Sequence, residues 1–235
     1  MTLALTALIV IAAACLPSII WLVFFLRIDI HHEPKKLLAY TFGAGIFISI
    51  IVLAMQYLSK NIILGGGYLL FSFILLALIE EVLKFTAAYW SVNKNPAFDE
   101  PVDAMVYMIT AALGFATVEN LLVLTSVAYG PESMLSESFA EVLILRFFGA
   151  TLLHALTSGI VGFYWAKGKL RGMLLSKLLI GLTIATIVHT IFNYLIMHFQ
   201  QSNLLFYPSL FLAAAAFFVI VDFEKLEKVH VNFPQ

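Results

Sequence analysis

Long apolar runs separated by short polar loops are the feature that most restricts how this chain can fold. The hydrocarbon core of a bilayer is about 30 Å thick, and a helix of about 20 apolar residues crosses it. Runs near this length follow one another at approximately 3–26, 37–58, 68–90, 103–128, 140–166, 176–199 and 204–222. We therefore predict an all-α polytopic membrane protein with about seven transmembrane helices.

Composition supports this fold class and excludes others. Of the 235 residues, 62% are hydrophobic and 11% are charged, whereas an average soluble domain is about half apolar and about a quarter charged. A net charge of −1 gives no basis for nucleic-acid binding. Cys15 is the single cysteine, so no intrachain disulfide can form. Because no loop could hold a soluble domain, we predict one integral membrane domain over residues 1–235.

The distribution of Lys and Arg in the short loops predicts the orientation, since basic loops stay in the cytoplasm. With seven spans, Lys60 is the one basic loop residue on one side of the membrane. The other side holds Arg27, Lys35, Lys36, Lys94, Lys167, Lys169, Arg171, Lys177, Lys225 and Lys228. We therefore expect an outside N-terminus and a cytoplasmic C-terminus. Short loops without targeting signals fit a multi-pass protein of a prokaryotic plasma membrane.

The third run carries three ionisable residues near its middle, within the sequence LIEEVLKF. Charged side chains at that depth are rare and costly, which makes them a functional-site hypothesis. At about 100° per residue, Lys84 projects roughly 40° from Glu80 and roughly 60° from Glu81. The three heads can therefore form one paired cluster. It is either part of a functional site or a buried ion triad that only holds helices together.

The next three runs also carry polar residues near their middles. These are Glu119, Asn120, His154, Ser158, His189 and Asn193. The pairs on the fifth and sixth runs are spaced i, i+4, so each pair points one way. Because successive helices alternate in direction, these groups fall at the depth of Glu80 and Glu81. A single one could be an interhelical hydrogen-bond partner, but together they predict a polar cavity and a four-helix catalytic core formed by helices 3–6.

These residue types favour attack by an activated water molecule. Carboxylates, imidazoles and an amide supply a general base, an orienting partner and oxyanion donors. Ser158 shares its helix with His154, but this spacing is a weak sign of a nucleophile, and the span interiors contain no Asp pair. The activator is either a glutamate or a metal ion held by His154, His189 and Glu81. The spacing does not match HExxH.

Loop residues suggest additional contacts. His31 and His32 stand beside Asp29 and Glu33 in the first basic loop, where we favour a solvated loop over a metal site. In the linker after the third run, Asp103 either caps the fourth helix or folds over a polar pocket. We expect Arg146, near the start of the fifth run, to meet a carboxylate of a neighbouring helix.

Five motifs follow one another along the chain in the order that one known family shows. They are EEVLK (80–84), FDEPVDA (98–104), GFATVEN (114–120), the Arg146 to HALTSG region (146–159) and HTIFN (189–193). In this respect the chain resembles the PrsW-type intramembrane proteases, within the wider CAAX-protease and bacteriocin-processing (CPBP) group. The resemblance covers residues 68–200, which we expect to form a protease-like core. Residues 1–67 and 201–235 match only as hydrophobic, peripheral membrane spans.

The resemblance implies an intramembrane endopeptidase that uses a glutamate-activated water and no cofactor. Glu80 would be the general base, with Glu81 as its partner and Lys84 fixing the pair. The motif HxxxN implies that His189 and Asn193 stabilise the oxyanion.

The remaining motif residues have less specific implied roles. His154 would orient the water or bind a metal. Glu119, followed by Asn120, stands where the CAAX-type branch typically has His.

The family's best-known role implies the substrate. It would be a single-span membrane protein such as an anti-sigma factor, cut first at its outer side in regulated intramembrane proteolysis. Membrane lipids would surround the enzyme.

Three alternatives remain open at this point. The same groups could form a zinc-dependent intramembrane metalloprotease. They could also serve a proton-coupled transporter as a relay, or persist in a non-catalytic immunity protein that keeps the scaffold.

Overall fold

The computed structural model describes residues 3–63, 69–130, 137–199, 206–229 and 233, and within these ranges it contains helices and no strand. The helices are α1 Leu3–Leu26, α2 Lys35–Ile63, α3 Leu69–Val92, α4 Asp103–Ala128, α5 Glu137–Leu145, α6 Leu152–Arg171, α7 Leu174–His198 and α8 Phe206–Glu227. A π-helical turn, Arg146–Thr151, joins α5 to α6. Because these three segments are continuous, the described chain forms seven helical rods. The predicted all-α fold is confirmed.

Most of these rods have the length and composition of membrane spans. Six qualify: α1, residues Lys35–Tyr57 of α2, α4, the rod Phe139–Arg171, α7 and α8. The remaining rod, α3, has 24 residues like α1, but it carries two carboxylates and a lysine at its middle. It packs against α2, α4 and α7 inside the bundle. The protein is therefore a multi-pass membrane protein.

Helix α4 is the centre of the bundle. It packs against α1, α2, α3 and α6, and every side chain from Asp103 to Thr117 is buried. A helix that is apolar all round is one that is surrounded on all sides. The polar end of α4, which carries Glu119 and Asn120, is thereby fixed relative to four neighbours.

Glycines allow the backbones of α2 and α4 to touch. A Cβ atom at Gly45 would overlap the backbone carbonyl of Ala111, and one at Gly114 would overlap that of Phe42. By contrast, a Cβ at Gly43 would meet no atom within 4 Å. Small residues permit such close approach between membrane helices, where van der Waals packing holds the pair together.

The linker between α3 and α4 is tied to the first loop by buried acids. Asp103 does not cap α4; its Oδ2 accepts the backbone N–H groups of Asp99 and Glu100 at 2.9 and 2.8 Å. The hydroxyl of Tyr107 donates to the carboxylate of Glu33. The linker is therefore held against the start of α4, and α4 is in turn bonded to the first loop.

The expectation of a solvated first loop is wrong for its acids. His31 and His32 are exposed, but Asp29 and Glu33 are only 1% and 9% exposed. Burial, together with the neighbouring carboxylates Glu33 and Glu227, raises the pKa of Asp29 to about 6. Burial likewise raises the pKa of Glu33. This burial was not predictable from the sequence, because the residues that contact the loop, Tyr107 of α4 and Glu227 of α8, are distant along the chain.

Candidate active site

The predicted site residues of four helices converge in the interior of the bundle. Hydrogen bonds and ion pairs connect, directly or through neighbours, Glu80, Glu81, Lys84, Glu119, Asn120, His154 and His189. Helices α3, α4, α6 and α7 supply them. All are buried except Glu119, whose side chain keeps 21% of its surface exposed.

Glu81 is the carboxylate of this cluster that is paired with a lysine. Its Oε1 accepts hydrogen bonds from Lys84 Nζ at 2.6 Å, Thr157 Oγ1 at 3.0 Å and His189 Nδ1 at 2.8 Å. Lys84 is also completely buried, and its ammonium lies 5.3 Å from the ring centroid of Phe115. Two buried opposite charges compensate each other, so each requires the other.

The partners of the two imidazoles fix their tautomers. An ammonium can only donate, so Lys84 Nζ donates to His154 Nδ1 at 3.1 Å. The proton of His154 is therefore on Nε2, which donates to Glu119 Oε2 at 2.9 Å. His189 donates from Nδ1 to Glu81, and its Nε2 faces Glu80 Oε2 at 3.7 Å. The two rings lie edge to face, 5.2 Å apart.

Glu80 differs from Glu81 in having no ammonium partner among the described residues. Its Oε1 accepts a hydrogen bond from Gln56 Nε2 of α2 at 3.1 Å. Its Oε2 is buried and makes no hydrogen bond within the described part of the chain. Buried polar atoms are nearly always satisfied by protein or water. Glu81 Oε2 is likewise buried without a hydrogen bond from the described residues, so both oxygens are places where a water molecule would be held.

Arg146 meets a carboxylate of a neighbouring helix, as predicted. Its Nη2 donates to Glu119 Oε2 at 3.1 Å, and its Nε donates to the side-chain oxygen of Asn120. The Asn120 amide donates to Thr151 Oγ1 at 3.0 Å and to the backbone carbonyl of Ala14 at 3.4 Å. Asn120 thus positions Arg146 and joins α4 to α1 and to the π-helical turn.

The π-helical turn begins at Arg146 and ends at Thr151. Within it, the carbonyl of Phe147 accepts a hydrogen bond from Trp21 Nε1 at 2.9 Å. Such wide turns change the angular position of one helical segment relative to the next and are frequent at functional sites. Here the turn allows Arg146 and His154, on one rod, both to reach Glu119.

One group of ligand atoms has the spacing of a metal site. Atoms of Glu80, His154 and His189 lie within 4.8 Å of one another. The sequence-based set contained Glu81 instead, but Glu81 Oε1 is already engaged by Lys84 and His189. His189 has the carboxylate partner that zinc-bound histidines usually have. Both nitrogens of His154 are occupied, so it would have to release a partner before binding a metal.

Two contacts at the site were not predicted, and one predicted residue stands apart. Gln56 contacts Glu80, although the sequence predicts a peripheral span for the run 37–58. Gln56 is the one amide side chain in that run. Thr157, three residues after His154, donates to Glu81. Asn193, one turn from His189, is half-buried and has no hydrogen bond among the described residues.

Comparisons with known proteins identify one family. The family described as "PrsW family intramembrane metalloprotease" matches residues 33–221. Protease PrsW of Bacillus subtilis is 27% identical over 225 residues, covering 94% of this chain and 97% of the relative. Protease PrsW of Geobacillus kaustophilus is 32% identical over 146 residues, covering 62% and 60%. No solved structure shows a significant match.

The matched region contains most of the chain and every residue of the buried cluster. It also includes α2, whose Gln56 contacts Glu80. The chain belongs to the PrsW family of intramembrane proteases.

Proposed function

We propose that this protein is an intramembrane endopeptidase in which Glu80 activates the attacking water. The observation that carries the proposal is the difference between the two adjacent glutamates. Glu81 is paired with the buried ammonium of Lys84 and also engaged by Thr157 and His189, whereas Glu80 has no ammonium partner among the described residues. Its Oε1 accepts a hydrogen bond from the neutral amide of Gln56, and its buried Oε2 has no hydrogen bond there. A general base needs such an oxygen within hydrogen-bond reach of its water.

In the proposed reaction, Glu80 removes a proton from water as the water oxygen bonds to the peptide carbonyl carbon. Glu80 then returns that proton to the amide nitrogen, and the carbon–nitrogen bond breaks. The transient oxyanion requires hydrogen-bond donors. A protonated Nε2 of His189 and the amide of Asn193, one turn away, are the proposed donors. Lys84 keeps Glu81 ionised, and Glu81 orients His189 through Nδ1.

The second group of site residues has a positioning role in this proposal. His154 connects Lys84 to Glu119, and Arg146 connects Glu119 to Asn120. Glu119 is the most exposed carboxylate of the cluster. In this proposal the substrate backbone therefore enters the site at the Glu119 end.

The proposed substrate is a single-span membrane protein such as an anti-sigma factor, cut at its outer side. A site buried among membrane-spanning helices supports a substrate that is itself in the membrane. The basic loops support an outside N-terminus and a cytoplasmic C-terminus in a plasma membrane. Bilayer lipids complete the surroundings of the enzyme.

A zinc-dependent version of the same activity is favoured by one observation. Glu80, His154 and His189 offer a carboxylate and two imidazoles within 4.8 Å, which is a donor set that zinc accepts. Zinc bound there would supply a Lewis acid that polarises the peptide carbonyl. In this version Glu81 would orient His189 as a ligand, through the same hydrogen bond.

The test compares cleavage of single-span substrates by purified wild type and Glu80→Gln in proteoliposomes. We expect the turnover number to fall by about 10²–10⁴ because loss of a general base has that effect. Glu224→Gln, on an exposed part of α8, is the matched control and should keep full activity. Unchanged turnover in a folded Glu80→Gln protein would contradict the proposal.

Metal analysis of the same preparations separates the two versions. Full activity in protein shown to be free of zinc eliminates the metal version. Activity that disappears on chelation and returns with zinc supports it.

A further inference from the structure

A second polar cavity lies far from the catalytic cluster, at the end of the bundle that carries the basic loops. It has a volume of about 500 Å³. We call it the basic pocket and define it by Asn93, Lys94, Asn95, Phe98, Lys169 and Phe233. The linker after α3, the last turn of α6 and Phe233 form its walls.

Lys169 is held in a fixed position by two aromatic rings. Its Nζ lies 4.5 Å from the ring centroid of Phe98 and 4.4 Å from that of Phe233. No carboxylate within the described residues approaches this ammonium to ion-pair distance. The charge of Lys169 is therefore pre-positioned and available for a ligand.

The other polar groups of the basic pocket are mainly hydrogen-bond donors. Lys94 is exposed at the rim. Asn95 uses its side-chain oxygen to accept the backbone N–H of Ala97 at 3.0 Å, which leaves its NH₂ group as a donor. No acidic side chain lines the cavity. Asp99 and Glu100 line a separate cavity with His31 and His32. The linker thus separates acidic from basic groups.

Phe233 closes one side of this cavity, so the two lysines belong to an enclosed site. The backbone N–H of Phe233 donates to the carbonyl of Asp99 at 2.7 Å. Its ring lies 5.0 Å from that of Phe98, and only 4% of the residue is exposed. Three separate parts of the chain therefore enclose two ammonium groups and at least one amide donor.

This combination indicates an anionic ligand at the membrane boundary. The cavity directly follows α3, where Trp90 is exposed one turn earlier, as aromatic residues are at the bilayer interface. Basic pockets at this level bind the phosphates of anionic lipids, and lysine is a common point-charge partner of phosphate. We propose that the basic pocket binds a phosphate group, carried by an anionic lipid headgroup or by free phosphate. This inference is independent of the proteolytic mechanism.

The test measures binding of phosphatidylglycerol to the full-length protein in detergent micelles by native mass spectrometry. Equilibrium dialysis with radiolabelled inorganic phosphate forms a parallel arm. Lys94→Gln should weaken binding about tenfold, and Lys94→Gln/Lys169→Gln about a hundredfold, since each removes one charge-assisted contact. Lys36→Gln, exposed at the same end of the bundle, is the matched control and should bind like wild type.

The two arms distinguish the sources of the phosphate. Lipid binding that depends on both lysines, without binding of inorganic phosphate, assigns a lipid headgroup. Binding of inorganic phosphate that depends on the same lysines assigns the free ion.

Three results would overturn the proposal: no binding of either probe to wild type, equal binding to the folded double variant, or equal binding of diacylglycerol, which lacks phosphate. If the double variant does not fold, Lys94→Glu replaces it, because that rim change leaves the rings around Lys169 intact. Wild-type affinity of Lys94→Glu for both probes would then be the contradicting result.

Discussion

Lys84 Nζ lies 2.6 Å from Glu81 Oε1, three residues earlier on the same helix, and neither side chain is exposed to any extent. The pair gives the two adjacent glutamates different roles. Glu81 is neutralised by a fixed counter-charge, and Glu80 has no such ammonium partner among the described residues.

Removing only the lysine should destabilise the protein. Lys84→Met leaves Glu81 as a buried, uncompensated charge, so we expect the free energy of unfolding to fall by about 3–5 kcal/mol. The double variant Glu81→Gln/Lys84→Met should regain most of that stability but not proteolysis. Denaturant unfolding in micelles measures the stability of the single and the double variant, and the proteoliposome assay measures their proteolysis. Equal stability of Lys84→Met and wild type would argue against the buried pair.

The hydrogen bond from Gln56 of α2 to Glu80 should affect the turnover number. Gln56 donates to Glu80 Oε1, and a hydrogen bond to a charged group is worth about 1.5–3 kcal/mol. We expect Gln56→Leu to lower kcat at least about tenfold, which is the lower limit of that range, with little change in Tm. Ser49→Ala, on the same helix, removes a hydroxyl that bonds only to the carbonyl of Ile46. This control should leave kcat unchanged, and a Gln56→Leu enzyme with normal kcat would remove Gln56 from the site.

The close contact between α2 and α4 gives a purely steric prediction. In Gly114→Ala the new methyl group would overlap the backbone of Phe42, whereas in Gly43→Ala it would meet open space. Overpacking of this kind typically lowers the free energy of unfolding by about 1–3 kcal/mol. Tm values of the two variants, measured side by side, test the close contact. It is refuted if both variants unfold at the wild-type temperature.

The buried acid of the first loop predicts how stability depends on pH. The pKa of Asp29 is raised to about 6 in the folded protein, so folding favours its protonated form. The resulting stabilisation is complete below the unfolded pKa of about 3.9 and is lost as pH rises through about 6. From about pH 5 to about pH 7.5, the free energy of unfolding should fall by about 1 kcal/mol.

Asp29→Asn is the variant that isolates this effect. It should be more stable than wild type at neutral pH and show a smaller slope, with Glu33 supplying the remainder in the same direction. Thermal unfolding across that pH range measures both slopes. If the two proteins have the same slope, Asp29 does not bind its proton more tightly when folded.

The buried polar cluster was predictable because its sequence pattern is strong and local. Ionisable residues within apolar runs have few alternatives to an interior site, and the alternating direction of helices placed Glu119, His154 and His189 at the level of Glu80. Their connections were less predictable. An i, i+4 pattern shows that His189 points inward, but it does not reveal that Nδ1 faces Glu81.

Features that depend on packing between distant segments could not be inferred. Gln56 lies in a run that reads as hydrophobic, and the packing of α2 against α3 brings it to Glu80. Asp29 is in a polar loop, yet α4 and α8 bury it. The π-helical turn at 146–151 has no sequence signature, since the run containing it reads as one continuous span. The domain boundary at residue 68 stays a prediction.

The backbone contacts at Gly45 and Gly114 have a mechanical consequence. They make the pair of α2 and α4 rigid, because helices whose backbones touch lose their packing contacts as soon as they begin to separate. A substrate polypeptide therefore cannot reach Glu80 by opening that seam. We expect access from another side of the bundle, such as the side of the π-helical turn at Arg146, because such turns are frequent at functional sites.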